Sequence, residues 1–350
     1  MKRKGFLIEQ ITDLNNLYEA FYKAQKGKNN KPETIHYQRE LYQNLKKIQN
    51  QIETGNLELG NYRYFTIYEP KKRLICAASF AERVLHHALM NVCHVYFENE
   101  QIAESYATRI NKGTYKAIEK AKYFSKHYNY YIKFDIRKYF DSIAHSILIT
   151  KLQRVFKDPL LLYLFHQIIE SYHSSQNTGL PIGNLTSQYF ANFYLSSFDR
   201  YIKQHLQIKP YVRYMDDFII WTTNPSEINT LIEQVTFYLK EELNLDLKIK
   251  YNNTCKHGLN FLSYRIFSNK IELQQKSKKR FIEKTKLFSS KYSQNEFTEK
   301  EYQQHLQPLT AFTLHASAKG FRQKVYNISK KELFLSTGNN HKLEPCQSWR

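Results

Sequence analysis

Tyr130-Tyr131-Ile132-Lys133-Phe134 is an aromatic and β-branched run that suits a buried strand, and Asp135 falls where such a strand leaves the core. Farther along, Tyr211-Val212 and Phe218-Ile219-Ile220-Trp221 flank Tyr214-Met215-Asp216-Asp217, a pattern that predicts a strand, a tight acidic turn and a second strand. Between these lies Gly179-Leu180-Pro181-Ile182-Gly183-Asn184-Leu185-Thr186-Ser187-Gln188, a turn followed by the amphipathic segment Tyr189 to Tyr201, with Thr186 and Ser187 placed to cap the helix. Leu231 to Leu243 has helical apolar spacing, and Leu245-Asp246-Leu247-Lys248-Ile249 alternates as a strand. Lys270 to Lys291 has helical character again. Polar loops are expected at Lys26 to Pro32, after an N-terminal helix, and at Ser174 to Thr178; from Ser329 the pattern fades, and Ser336 to Asn340 reads as the start of a tail.

Composition narrows the partners. The 350 residues suffice for two or three domains. Lys and Arg number 52 against 32 acidic residues, a net charge of +20 that favours a polyanionic partner. The 28 Tyr and 23 Phe among those cations suit stacking on bases and sugars. From Lys270 to Lys291 eight basic residues face two Glu, a charge run suited to a nucleic-acid backbone or to a solvated helix face. Cys76, Cys93, Cys255 and Cys346 form no CxxC pair, so neither a zinc site nor a disulfide framework is suggested by them and a reducing cytoplasm is the natural setting. No apolar run approaches membrane-spanning length, and the N-terminus lacks a signal-peptide core.

The acidic positions carry the candidate chemistry. Asp216 and Asp217 at a hairpin tip offer hard oxygen ligands for Mg2+, although an Asp-Asp turn is equally readable as a solvated one. Two-metal nucleotidyl transfer needs carboxylates from separate strands, so that one ion activates a hydroxyl while the other neutralises a triphosphate. Asp135 together with Asp216 meets that need, whereas Asp141 reads as a structural aspartate. His86 and His87 read as packing or template-backbone contacts in a helix.

In the order strand-Asp, Gly-Pro-Gly loop and Tyr-Met-Asp-Asp hairpin, the chain resembles the reverse transcriptases, from about residue 64 to 267. Most of the family has Gln-Gly after the loop proline. Ile182-Gly183 stands there instead and the loop ends in Ser187-Gln188, a form similar to the bacterial reverse transcriptases of diversity-generating retroelements, where the missing Gln accompanies error-prone copying of template adenines. Tyr68 to Ile75 with the helix Phe80 to Tyr96 resembles the first fingers motif, and Ser105 to Thr114 the second. The resemblance implies a dNTP site with Arg109 and Lys112 on the triphosphate, Phe140 as a steric gate against ribose, Ile182 and Gly183 beside the nascent pair, and Lys248 as the proton donor to pyrophosphate. It assigns template and primer contacts to Lys71, Lys72, Arg73, Gln188, Tyr214, Lys278, Lys279 and Arg280. Asn260 to Ile266 resembles the primer-grip hairpin, with Ser263 where the family usually has Gly.

The expected architecture is an α+β right-hand polymerase fold: fingers over 1–130, a palm with an antiparallel sheet over 131–268 including a helical fingers-side excursion at 145–178, a helical thumb over 269–330 and a tail over 331–350, without a separate ribonuclease H or endonuclease domain. The expected activity is RNA-directed DNA polymerisation with two Mg2+ ions, for which Mn2+ can substitute, held by Asp135, Asp216, Asp217 and the carbonyl of Ile136. Expected partners are a structured template RNA, the nascent cDNA, dNTPs and a small basic helical accessory protein. Two other readings stand beside diversification: a defence-associated reverse transcriptase copying its own noncoding RNA, and a maturase-like RNA chaperone that does not polymerise.

Overall fold

The computed structural model describes residues 4–68 and 72–327; Lys71 and the expected tail lie outside the described residues. Two compact units emerge, one formed by residues 1–117, 132–220 and 224–252 and the other by 118–131, 221–223 and 253–350. No helix among the described residues is long and apolar enough to cross a membrane.

The first unit begins with α1 (Ile8–Thr12), α2 (Leu14–Gln25), α3 (Pro32–Arg39) and α4 (Leu41–Thr54), followed by the antiparallel hairpin β1 (Arg63–Ile67) and β2 (Arg73–Ala77) and by α5 (Phe80–Asn99). Helix α5 starts at Ser79, whose side chain accepts from the Glu82 amide at 3.2 Å. It buries Phe80, Val84, Leu85, Ala88, Leu89, Cys93 and Phe97, a helical repeat that packs on α2. His86 is buried too, its pKa pushed down to about 3 by desolvation, while burial raises Glu82 to about 7. Their 3.7 Å approach is therefore an interior contact rather than a template contact.

After α6 (Thr114–His127) comes β3 (Tyr130–Ile136), then α7 (Tyr139–Ser142), α8 (His145–Val155), α9 (Pro159–Glu170), α10 (Leu185–Tyr194) and α11 (Ser196–Arg200), which runs into one π-turn at Tyr201–His205. Then follow β4 (Tyr211–Tyr214), β5 (Asp217–Thr222), α12 (Glu227–Leu243) and β6 (Leu247–Thr254). The four strands form one sheet in the order β4-β5-β3-β6, with β4 and β5 antiparallel and Tyr214 paired with Asp217 across the turn. Phe134 stacks on Phe218 at 4.8 Å and Phe198 meets Phe218 edge-on at 5.0 Å, so the aromatic run of β3 is core.

Two local expectations are corrected. Thr186 and Ser187 do not cap α10: Asn184 occupies the cap position, makes no side-chain cap bond, and both hydroxyl residues are buried in the first turn. The chain turns earlier, at Gly183, whose φ of +128° and 2.9 Å approach of a would-be Cβ to the Cys76 carbonyl admit only glycine without displacement. In addition, the basic run from Lys270 opens as a strand, Ile271–Leu273, before its helix begins.

In the second unit, β7 (Leu259–Phe261), β8 (Tyr264–Ile266) and β9 (Ile271–Leu273) form an antiparallel meander. It precedes α13 (Gln275–Ser293) and α14 (Glu299–Leu314). The Ser317 amide donates to the Ile271 carbonyl at 2.7 Å, and Tyr264 OH to the Phe312 carbonyl at 2.5 Å, tying the meander to the chain around and beyond α14. The β7–β8 turn uses Leu262 and Ser263, both left-handed at φ +46° and +74°. That pair of positive φ values is the hairpin geometry that favours glycine, so the Ser at 263 holds it at a conformational cost of about 1–2 kcal/mol.

Candidate active site

Because β3 lies beside β5, Asp135 near the end of β3 is brought to Asp217 at the start of β5, and the tight turn carries Asp216 with it. Lys133, two positions before Asp135 on β3, reaches Asp217 Oδ2 at 2.9 Å. Burial raises the Asp217 pKa to about 6; Lys133 opposes that rise, and the neighbouring Asp135 and Asp216 carboxylates add to it. Asp217 Oδ1 is buried without a hydrogen-bond partner. Three crowded carboxylates, one with an orphaned oxygen, form the kind of hard donor set that a divalent cation satisfies. Lys248 on β6 stands 3.9 Å from Asp135 Oδ2 and is half exposed. The Ile136 side chain is buried, leaving its main chain as the only group it can bring to the site.

The turn itself is held from below. Arg213, fully buried, donates from Nε to Asp199 Oδ1 at 2.7 Å and from Nη2 to Asp199 Oδ2 at 2.6 Å, a two-pronged pair. Nη1 donates to Asn192 Oδ1 at 2.8 Å and to the Met215 carbonyl at 3.1 Å, and Nη2 also donates to Ser105 Oγ at 3.0 Å. Met215 sits at φ +56°, so the guanidinium fastens the one left-handed residue of the turn. On the main chain, the Arg213 amide donates to Glu104 O at 2.9 Å and the Tyr106 amide to Arg213 O at 3.0 Å, covering the edge of β4. Thr114 Oγ1 donates to Tyr214 OH at 3.2 Å, so Tyr214 is positioned from the segment that follows. Neither Arg213, Asp199 nor Lys133 was singled out by the sequence; the available signal was a cation in each of two otherwise apolar strands.

Phe140 and the Gly-Pro-Gly loop share one backbone frame. The Leu180 amide donates to Phe140 O at 2.8 Å and the Gly179 amide to Ile143 O at 2.9 Å, while Ile182 O accepts from the Cys76 amide at 2.8 Å. Phe140 and Ile182 are partly exposed; Gly183 and Gln188 are exposed. Arg109 is tied into its own loop: its guanidinium pairs with Glu98 at 2.6 Å and donates to the Ile102 and Ser105 carbonyls, leaving 8% of the side chain exposed. Lys112 likewise donates to Ala103 O at 2.8 Å and lies over the Tyr106 ring. Lys72 and Arg73 are exposed at the β1–β2 hairpin, and Lys278, Lys279 and Arg280 lie on α13 in the other unit.

Residues 68–266 match the family described as reverse transcriptase (RNA-dependent DNA polymerase), a span covering more than half of the chain and containing every carboxylate above. The chain belongs to the reverse transcriptase family. Its mixed helices and sheet are accordingly the right-hand polymerase fold. This reverse transcriptase is similar to the COX1/OXI3 intron 1 protein of Saccharomyces cerevisiae, at 23% identity over 47% of the chain and 21% of that protein. It is also similar to protein YkfC of Escherichia coli, at 22% identity over 63% of the chain and 71% of that protein. The chain thus spans about a fifth of the yeast intron protein's length. Apo telomerase from Candida tropicalis resembles it with a TM-score of 0.48 at 9% identity, covering 84% of this chain and 71% of that one.

Removing one partner of a buried pair strands the other charge. Asp199→Asn is expected to lower stability by about 3–5 kcal/mol in urea denaturation. A loss below about 1 kcal/mol would show that the pair does not hold the turn.

Proposed function

We propose that this reverse transcriptase is an RNA-directed DNA polymerase that copies a structured template RNA, with the low adenine fidelity of a diversity-generating retroelement enzyme. The observation that carries the polymerase reading is the meeting of Asp135, Asp216 and Asp217 with an orphaned Asp217 oxygen among them. Asp135, Asp216 and Asp217 would hold two Mg2+ ions, with the Ile136 carbonyl as a further ligand. Bound there, the ions supply charge neutralisation at the triphosphate and acidify the primer hydroxyl. Lys133 limits the mutual repulsion of the carboxylates, and Lys248, half exposed and 3.9 Å from Asp135, would give a proton to the departing pyrophosphate. Residues 1–130 act as fingers, 131–268 as palm and 269–330 as thumb; Lys278, Lys279 and Arg280 contact the duplex backbone, and Lys72, Arg73, Gln188 and Tyr214 are template or primer contacts of the first unit. The cations of Arg109 and Lys112 act indirectly, by fixing the loop from which other donors reach the triphosphate. A small basic helical accessory protein completes the retroelement reading.

Asp216→Asn and Asp135→Asn are each expected to abolish dNTP incorporation on an RNA template while RNA affinity at fixed salt stays within about threefold, because neither removes a cation that contacts phosphate. Primer extension beside a binding titration measures both quantities. Normal extension by either variant would sink the assignment.

Phe140 is the gate against ribose in this reading. Phe140→Ala is expected to raise rNTP relative to dNTP incorporation by about tenfold or more, since the discrimination is steric. An unchanged ratio in a folded, active variant would make Phe140 a packing residue alone.

Ile182 offers the nascent pair bulk without a donor or acceptor, so a mispair loses less relative to a correct pair. A hydrogen-bonding side chain there adds discrimination of about 1–3 kcal/mol. Ile182→Gln is expected to lower misincorporation opposite template adenine more than opposite the other bases, read by sequencing cDNA from one RNA template. Equal error spectra, or a wild-type enzyme already accurate at adenine, would remove the retroelement reading while leaving the polymerase reading intact.

A further inference from the structure

The geometry points to a zinc-class metal site formed by His145, Glu170 and His173, separate from the three aspartates. One nitrogen of each imidazole and the Glu170 carboxylate offer ligand atoms that all lie within 4.8 Å of one another. His145 opens α8 and is buried, Glu170 closes α9 and is one-third exposed, and His173 follows three residues later, 43% exposed. Glu170 Oε1 is 3.0 Å from His145 Nδ1, and Glu170 Oε2 is 3.5 Å from His173 Nε2. Ligands about 2.0–2.1 Å from a tetrahedral ion stand roughly 3.3 Å apart, so the three groups, all within 4.8 Å of one another, need close in only modestly about an ion.

The hydrogen-bonding of His145 carries the inference further than proximity. Its Nε2 lies 2.8 Å from the Gly179 carbonyl, an acceptor, so Nε2 must carry the hydrogen. The neutral ring then presents the Nδ1 lone pair to a carboxylate, and a positive species has to sit between them. Donation of the far ring N–H to a backbone carbonyl is the arrangement that orients a metal-bound histidine. A proton on Nδ1 would also bridge the pair, but it gives His173 no reason to converge. The two imidazole rings lie with centres 5.0 Å apart beside the Glu170 carboxylate, a convergence of three donors on one point that a single dication accounts for. Imidazole donors select Zn2+ and its neighbours Co2+ and Ni2+ over Mg2+. The fourth position is left to water. Such an ion would pin the end of α9 to the start of α8 and, through the Gly179 carbonyl, to the loop that carries Ile182.

The test is calorimetric titration of the chelator-stripped full chain with Zn2+ alone, without Mg2+ or nucleic acid. About one ion per chain is expected at this site, with His173→Ala and Glu170→Gln each weakening it by about tenfold or more. His36→Ala, at an exposed histidine on α3, and Asp216→Asn are expected to leave it unchanged, which separates the site from adventitious histidine binding and from the aspartates. His173 is exposed enough that its loss does not threaten folding. Absence of Zn2+ uptake by the wild-type chain, or uptake that His173→Ala leaves intact, would overturn the site and leave His145 and Glu170 as a proton-bridged pair.

Discussion

A guanidinium locked in the interior beneath a hairpin sets the geometry on which the carboxylate site depends. Arg213 cannot shed its charge, and Asp199 neutralises it with both oxygens, so neither can be moved without stranding the other. With its orientation fixed, the remaining donors hold Asn192 on α10, Ser105 in the segment covering β4 and the Met215 carbonyl in the turn. One cation thereby sets the relation between three chain segments and the residue next to Asp216. A flexible acidic turn would let its carboxylates repel each other apart; here the main chain leading into them is clamped at the Met215 carbonyl.

The same economy of charge governs the opposite side of the site. Lys133 neighbours Asp217 while Lys248 lies beside Asp135, so each of these carboxylates has a cation at hand. Neither cation satisfies the site completely, because the Asp217 pKa still rises and its second oxygen has no partner. Partial compensation is what a cation-binding carboxylate cluster requires. Complete pairing would make metal entry a competition with the protein's own lysines, and no pairing would strain the folded chain without metal.

The continuous aromatic and apolar runs and the acidic turn made the central strands legible, since strand-forming composition and turn chemistry are local properties of sequence, and β4 and β5 are buried almost throughout. The loop was legible through its glycines, whose positive φ values are likewise a local demand, whereas the approach of Gly183 to Cys76 on β2 is not local and only the fold shows it. What the sequence concealed are pairings made by residues distant along the chain. Arg213 meets Asp199, and Arg109, which the resemblance assigns to the triphosphate, meets Glu98 and two carbonyls, pairings that no local pattern displays. His145, Glu170 and His173 lie in two helices and a following loop with no motif spacing, so only the fold reveals their convergence. The misplaced helix cap has a similar origin: hydroxyl residues suited to capping were drawn into the core because the backbone had already turned at Gly183.

The loop also separates what holds it in place from what it presents. Its ties to Phe140, Ile143 and Cys76 all run through main-chain amides and carbonyls. The Ile182 carbonyl does structural work on β2 while its side chain stays partly exposed. A substitution at position 182 therefore changes what the loop presents without removing a bond that holds it, whereas one at Gly183 must displace the Cys76 carbonyl. Adjacent residues thus face opposite constraints. Gly183 answers to the backbone, and Ile182 is free to answer to whatever lies in front of it.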